Sequence, residues 1–387
     1  MGEESISVVV CDDSALMRNL VGKMVEGADG LELVGKAMNG RFLLQKIPRL
    51  KPDIIVLDLE MPDMNGIEFL RERKNRHIDI PVIILSSIAR KGARITMEAL
   101  SLGASDFITK PSGSISEDIH LVEKQLVAML KAYGGRYRKR HHRYTGTSIR
   151  MEEPGEPSRP SRMPERVKRE NGPVPVLEVP APIIREVPSP VSRQEAGEIQ
   201  LLALGISTGG PNALRKVFAL IDRSFPVPIV VVQHMPSGFT LEFARSLDRA
   251  CPLEVKEASD GDLLKPGRIL ICPGDYHIEV EKKRLAGIVR LNQRNIVNGH
   301  RPSVDVLFAS VADQYGGHAM GVIMTGMGRD GAAEIGAIHR SGGITIAQDQ
   351  ETSIVYGMPK VAAELGHIQH IVPLQDMAET INSLVKT

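Results

Sequence analysis

The sequence predicts an α/β protein with two doubly wound parallel-sheet domains joined by a long flexible linker. Short apolar runs rich in β-branched residues alternate with segments of helical period on both sides of residues 134–197. Such runs are typical of strands buried on both faces, and their alternation with helices indicates parallel sheets covered by helices. The expected organisation is a domain of residues 5–133, a disordered linker rich in Pro, Arg and Glu over 134–197, and a second domain of residues 198–387.

The first domain shows five strand-like runs, at residues 6–10, 31–37, 54–57, 82–85 and 107–109. Five such units, each followed by a helical segment, describe a compact flavodoxin-like domain. The linker opens with a basic cluster at 136–143, and its many prolines exclude a sustained helix or central strand. A solubilising spacer is the favoured interpretation, with contact to acidic lipid or an acidic partner as the alternative.

The second domain alternates strands and helices again and resembles a Rossmann-like sheet. The runs at 199–205, 229–233, 269–272, 320–324 and 344–347 are strand-like, and 211–220, 304–314, 331–340 and 374–385 are helical in period. Residues 277–291 are expected to form a hairpin at one edge of the sheet.

Composition excludes several classes of protein. Of the 387 residues, 42% are hydrophobic and 25% charged, and the formal net charge of +1 favours neither nucleic-acid nor membrane binding. The three cysteines show no metal-like spacing, which fits a reducing cytoplasm. With neither a signal peptide nor a transmembrane run recognised, a cytoplasmic protein is expected.

Carboxylates follow two strands of the first domain. Asp12 and Asp13 directly follow the first predicted strand, and Asp58 follows the third. Strand ends meet at one sheet edge, where clustered carboxylates suit Mg²⁺. Ser86 and Lys110 follow the next two strands and would bind phosphoryl oxygens. The alternative for any one of these aspartates is a helix cap.

The runs 58–66 and 103–111 closely resemble receiver domains of two-component response regulators. The resemblance implies that a histidine kinase phosphorylates Asp58. It also assigns the remaining site residues as follows: Mg²⁺ is held by Asp12, Asp13, Asp58 and the backbone carbonyl of Glu60, the phosphoryl group is contacted by Ser86 (with Ser87 the lesser alternative) and Lys110, and Phe107 is the aromatic switch residue.

A Gly-rich turn, Gly205-Ile206-Ser207-Thr208-Gly209-Gly210, joins a strand to a helix in the second domain. The turn alone fits a phosphate cradle, a nucleophile elbow exposing Ser207, or a tight joint without chemistry. His234 ends the next strand, and Asp330 lies in a glycine-rich loop after a later one. These positions favour a triad in which His234 is the base for Ser207 and Asp330 orients the imidazole.

The motifs at 205–211, 231–236, 271–274 and 325–331 resemble the catalytic domain of the chemotaxis protein-glutamate methylesterases, the CheB family. The resemblance implies that Ser207 attacks methyl-glutamate of membrane-bound chemoreceptors, releasing methanol, and that receptor glutamines are deamidated too. It also implicates Thr208 beside the nucleophile and the backbone N–H of Met327 as an oxyanion donor. The esterase site is expected to need no cofactor.

Other readings are weaker. The runner-up is a response regulator whose second domain only binds a partner. A nucleotide-binding module is disfavoured because no P-loop Lys follows the turn and G-x-G-x-x-G is absent. A DNA-binding output domain does not fit the near-neutral charge. His300 lies in a polar loop, and a substrate-binding role competes there with a purely structural one.

Overall fold

A computed structural model describes residues 5–87, 89–110, 119–145 and 198–386. The first domain is a five-stranded parallel sheet of order β2-β1-β3-β4-β5, which confirms the flavodoxin-like prediction. Its elements are β1 Ile6–Cys11, α1 Ala15–Glu26, β2 Leu31–Ala37, α2 Gly40–Leu50, β3 Ile54–Asp58, α3 Gly66–Asn75, β4 Val82–Ser86, α4 Arg90–Ser101, β5 Asp106–Thr109 and α5 Ile119–Thr145.

Local sequence sets the helix starts in this domain. Ser14 caps α1 by accepting a hydrogen bond from the backbone N–H of Met17, so the cap is not supplied by the aspartates before it. Asn65 and Glu68 form a reciprocal capping box at the start of α3. The carboxylates at the strand ends are therefore available for other chemistry.

Helix α5 continues to Thr145, past the end expected for the first domain at Tyr133. No proline interrupts residues 119–145, and the Pro-rich composition begins only later. Tyr137 packs against the core, which extends the ordered helix into the basic cluster. The remaining predicted linker, residues 146–197, lies outside the described residues. No helix within the described ranges is long and apolar enough to cross a membrane.

The second domain is a seven-stranded parallel sheet of order β14-β13-β12-β6-β7-β9-β8. Strand β6 lies between β12 and β7, so the strand order reverses there and a crevice opens at its carboxyl end. The elements are β6 Leu201–Ile206, α6 Gly210–Phe218, β7 Ile229–Gln233, α7 Phe239–Asp248, β8 Glu254–Glu257, β9 Arg268–Ile271, β10 His277–Lys282, β11 Gly287–Asn292, α8 Val304–Tyr315, β12 Ala319–Ile323, α9 Ile335–Arg340, β13 Ile344–Gln348, α10 Met358–Glu364, β14 His370–Val372 and α11 Met377–Val385.

The hairpin of β10 and β11 is confirmed, but its predicted position at the sheet edge is wrong. The two strands form a separate antiparallel sheet. The backbone N–H groups of Val280 and Lys282 donate to Ser310 and Gln314 on α8, at 3.1 and 2.9 Å. These bonds hold the hairpin against α8, and β11 also hydrogen-bonds with residues 261–264, which follow the edge strand β8.

The two domains are packed together through α4, β5 and α5 of the first and α6 and α7 of the second. One continuous cluster of buried apolar side chains includes residues from both. Phe107 on β5 stacks on Phe239 of α7, with ring centroids 5.0 Å apart. Asn212 on α6 donates to the carbonyls of Ala104 and Ser105, at 3.0 and 2.8 Å. The face of the first domain that carries β5 therefore contacts the second domain directly.

Candidate functional site

The acidic residues predicted at the first sheet edge converge. Ligand atoms of Asp12, Asp13 and Asp58 all lie within 4.8 Å of one another. Asp12 and Asp58 are buried, and the ammonium group of Lys110 lies 2.9 Å from Asp12 and 2.8 Å from Asp58. Burial raises the pKa of Asp58, against the opposing hydrogen bond and charge of Lys110. Carboxylate oxygens this close together could hold a divalent cation.

The remaining residues predicted for the first site have different surroundings. The backbone N–H of Glu60 donates to Asp58 at 3.4 Å, so its peptide lies beside the acidic group. Ser86 is buried at the end of β4, and its hydroxyl shares a 2.6 Å hydrogen bond with Thr96. Phe107 is buried against the second domain. The aromatic residue of the first site is thus part of the contact between domains.

Ser207 follows β6, at the crevice where the strand order reverses. Its backbone N–H donates to the carbonyl of Thr325 at 3.0 Å, which ties the turn to the loop after β12. Gly209 has φ of 82°, a left-handed conformation that lets the chain turn sharply into α6. A strand, a tight turn and a helix leave the Ser207 side chain half-buried at the sheet edge.

His234 lies directly after β7, beside this turn. Its backbone N–H donates to Ile206, the residue before Ser207, at 3.2 Å. The ring nitrogen Nε2 lies 2.8 Å from the carboxylate of Asp330. The other ring nitrogen, Nδ1, is buried and has no hydrogen-bond partner among the described residues. A neutral imidazole that donates from Nε2 therefore keeps Nδ1 as a free acceptor.

Asp330 is buried and heavily hydrogen-bonded. Besides the imidazole, it accepts from the Ser303 hydroxyl at 2.7 Å, the Val304 backbone at 2.6 Å and the Asn298 amide at 2.9 Å. Burial alone would raise the pKa of Asp330, but the bonds and charge of His234, with Asn298 and Ser303, hold that pKa well below its usual range. The carboxylate is therefore ionised and fixed in place.

His300 stacks on His234, with ring centroids 3.8 Å apart and planes 10° from parallel. Burial and the charge of His234 lower the pKa of His300 to about 4. His300 is thus a neutral ring near pH 7 that covers one face of the imidazole. From the sequence, His300 was predicted to lie in a polar loop, but its contact with His234 was not predicted.

The loop carrying Met327 packs closely against the turn that carries Ser207. A Cβ at Gly326 would lie 2.8 Å from the Cβ of Ser207, so glycine permits this approach. Thr325 donates its hydroxyl to the carbonyl of Thr208 at 2.9 Å. The two residues expected to assist Ser207 therefore belong to two segments that are hydrogen-bonded together.

Sequence reasoning missed two polar groups at this site. Gln233, the last residue of β7, is buried and donates to the carbonyls of both Ser207 and His234. Asp106, buried on β5 of the first domain, accepts a 2.8 Å hydrogen bond from the backbone N–H of Gly209. Burial raises the pKa of Asp106 to about 6, against hydrogen bonds from Gly209, Phe107 and Tyr133. For Gln233, the sequence did offer a signal, because a polar residue stands there in an otherwise apolar strand.

The fold and the two sites define a class: a response regulator with a receiver domain and a parallel α/β output domain. The profile of the response regulator receiver domain matches residues 8–121, and that of the CheB methylesterase family matches residues 202–381.

Relatives that align with nearly the whole chain identify the family within this class. The protein-glutamate methylesterase/protein-glutamine glutaminase of Treponema denticola is 55% identical, covering 98% of both chains. That of Treponema pallidum is 51% identical over 97% of this chain and 96% of its own. The CheB methylesterase catalytic domain of Thermotoga maritima, a crystal structure, is 39% identical over 48% of this chain and 99% of its own, with a TM-score of 0.48. The chain belongs to the family of protein-glutamate methylesterases/protein-glutamine glutaminases.

Proposed function

We propose that this protein demethylates methyl-glutamate side chains of chemoreceptors, releasing methanol, and deamidates receptor glutamines, with Ser207, His234 and Asp330 as its catalytic triad. The observation that carries the proposal is the 2.8 Å contact of His234 with ionised Asp330 beside the Ser207 turn. The names of the relatives supply the substrate class. The protein acts in the cytoplasm and meets membrane-bound receptors there.

Acylation begins when the Ser207 hydroxyl attacks the γ-carbonyl carbon of the substrate. The hydroxyl proton moves to Nδ1 of His234, the nitrogen that Asp330 leaves free. Asp330 stabilises the resulting imidazolium through Nε2. Collapse of the tetrahedral intermediate breaks the bond to methoxide, which leaves as methanol with the proton from His234.

The acyl-enzyme is then hydrolysed by water, which His234 deprotonates in the same way. The product carboxylate leaves, and the proton returns to the Ser207 oxygen. The backbone N–H of Met327 donates to the developing oxyanion, and Thr208 assists from beside the nucleophile. A glutamine amide follows the same steps with ammonia as the leaving group.

Phosphorylation of Asp58 controls this activity. A histidine kinase is the phosphodonor: its phosphorus–nitrogen bond breaks as a carboxylate oxygen of Asp58 bonds to phosphorus. The close carboxylates fit Mg²⁺, which Asp12, Asp13, Asp58 and the Glu60 carbonyl would hold. When bound, the ion neutralises charge on the transferring group. Ser86 and Lys110 then contact the phosphoryl oxygens.

The contact between domains is the means of control. Asp106 bonds to Gly209, only two residues after Ser207, and Phe107 packs on Phe239. In the unphosphorylated protein this contact restricts access to the Ser207 cleft. Phosphorylation shifts the population toward an open form because it moves Lys110 and Phe107 away from their resting contacts.

Methanol release from methylated receptor, measured with and without a small-molecule phosphodonor, tests the proposal. The wild-type rate should rise with phosphodonor, Asp58→Asn should stay at the basal rate, and Ser207→Ala should lose at least about a thousandfold under both conditions. A Ser207→Ala protein that keeps more than about a tenth of the wild-type rate contradicts the triad.

A further inference from the structure

Gln233 occupies a position where the strand pattern calls for an apolar residue. On β7, Ile229 and Val231 point into one core cluster, and Val230 and Val232 point into the cluster on the other face. By this alternation Gln233 belongs to the same face as Ile229 and Val231. It is nonetheless an amide, with only 2% of its surface exposed.

The Gln233 amide joins the main chains of the proposed nucleophile and base. Its Nε2 donates to the carbonyl of Ser207 at 3.0 Å and to the carbonyl of His234 at 3.1 Å. The Ser207 carbonyl also accepts from the backbone of Gly210, at 2.8 Å. One side chain thus links two strand-end peptides that belong to different strands.

This arrangement also constrains the turn. A Cβ placed on Gly210 would lie 1.9 Å from Oε1 of Gln233, so the amide occupies the space that a side chain at 210 would need. Oε1 itself is buried and finds no hydrogen-bond partner within the described part of the chain. A buried acceptor without a partner destabilises a fold, and an apolar side chain of similar length would avoid that cost.

We infer that Gln233 is a positioning residue for hydrolysis, whose amide holds Ser207 and His234 at the separation that proton transfer requires. The inference rests on the proposed esterase function and deepens it. Small displacements of a nucleophile from its base slow the chemical step strongly, whereas substrate binding need not change. Loss of the two amide hydrogen bonds should therefore slow the chemical step more than it weakens substrate binding.

The substitution Gln233→Met tests this inference in the full-length, phosphorylated protein, with methylated receptor as substrate. Methionine has similar length and suits the apolar face. We expect kcat to fall at least about tenfold with KM within about twofold, a loss larger than any fall in the folded fraction, which a melting curve of the variant measures. The control Ile229→Met changes the same face of the same strand at its far end and should keep kcat within about twofold.

Gln233→Glu covers the case in which the methionine variant folds poorly. Its carboxylate would face two carbonyl oxygens when ionised, but one protonated oxygen donates a hydrogen bond. The rate per folded protein, relative to wild type, should therefore recover as pH falls, whereas a merely structural role would change only the folded fraction. Near-wild-type kcat in Gln233→Met, or a loss no larger than its unfolded fraction, overturns the inference. An active Ser207→Ala protein would instead refute the proposed triad, so the two failures are distinguishable.

Discussion

Asn212 offers the sharpest test of the proposed inhibitory contact between the domains. It lies half-buried on α6, outside the proposed triad, and its amide donates to Ala104 and Ser105 of the receiver domain. Asn212→Ala removes both bonds and leaves the Ala104 carbonyl without this donor in the docked form. Two such bonds contribute about 1–3 kcal/mol to docking. Because each 1.4 kcal/mol is a factor of ten, a loss of about 2 kcal/mol multiplies the open population by about 30.

The assay is methanol release without phosphodonor. Basal activity of Asn212→Ala should rise by about 10- to 30-fold, up to the ceiling set by phosphorylated wild type, because the rate follows the open fraction. With saturating phosphodonor, the variant and wild type should match. A rise in both conditions would mean that Asn212 acts on the esterase itself.

Asn382→Ala is the matched control. Asn382 is also half-buried, and its amide donates to the backbone carbonyl of Leu220, within the second domain. The substitution Asn382→Ala should destabilise the second domain to a similar degree, and it removes no contact with the receiver domain. If Asn212→Ala leaves the basal rate unchanged, or Asn382→Ala raises it as much, the described contact is not the inhibitory one.

Two further predictions concern the triad and the pH dependence of docking. His234→Ala and Asp330→Ala should each lower the activated kcat, measured from steady-state rates, by orders of magnitude. The double variant should be little slower than the slower of the two single variants. If the two effects multiply instead, the residues act separately. Burial raises the pKa of Asp106 to about 6 in the docked form. We predict that separation of the domains exposes Asp106 and lowers this pKa, so docking should weaken, and the ratio of basal to activated rate should increase, as pH rises through 6. Asp106→Asn should flatten this ratio, and a ratio that stays pH-independent in wild type would show that Asp106 does not titrate with docking.

Most of the fold could be predicted from the pattern of strands, because buried parallel strands appear in the sequence as continuous apolar runs. Strands such as Ile229–Gln233 are buried on both faces and stand out in the sequence. Among the strands of the second sheet, those that escaped prediction are short or half-exposed: β8 Glu254–Glu257 is mostly charged, and β14 has three residues. Their strand conformation comes from pairing with neighbours, which local sequence does not encode.

The site residues also fall into two groups, those that the sequence predicts and those that depend on tertiary packing. Ser207, His234 and Asp58 end strands, and topology alone brings strand ends to one edge. The partners of Asp330 come instead from the 298–305 loop, whose path depends on tertiary packing. The contact of Asp106 with Gly209 joins residues 103 positions apart in different domains. The periodicity of apolar residues does not predict such a pair, because the interface depends on the surfaces of the two folded domains.

Strand β5 connects the proposed phosphorylation site at Asp58 to the turn that carries the proposed nucleophile, Ser207. Lys110, next to its carboxyl end, bonds Asp58, and Asp106 at its other end bonds Gly209. The four intervening residue steps span about 13 Å of extended chain, so a pull on Lys110 is transmitted along a stiff segment. Lys110→Ala should therefore accept phosphate on Asp58 yet remain near the basal esterase rate, since nothing draws the strand toward the phosphoryl group. Measuring phosphate incorporation and methanol release on the same samples separates the two steps. A phosphorylated Lys110→Ala protein that reaches the wild-type activated rate would show that the signal leaves the receiver by another route.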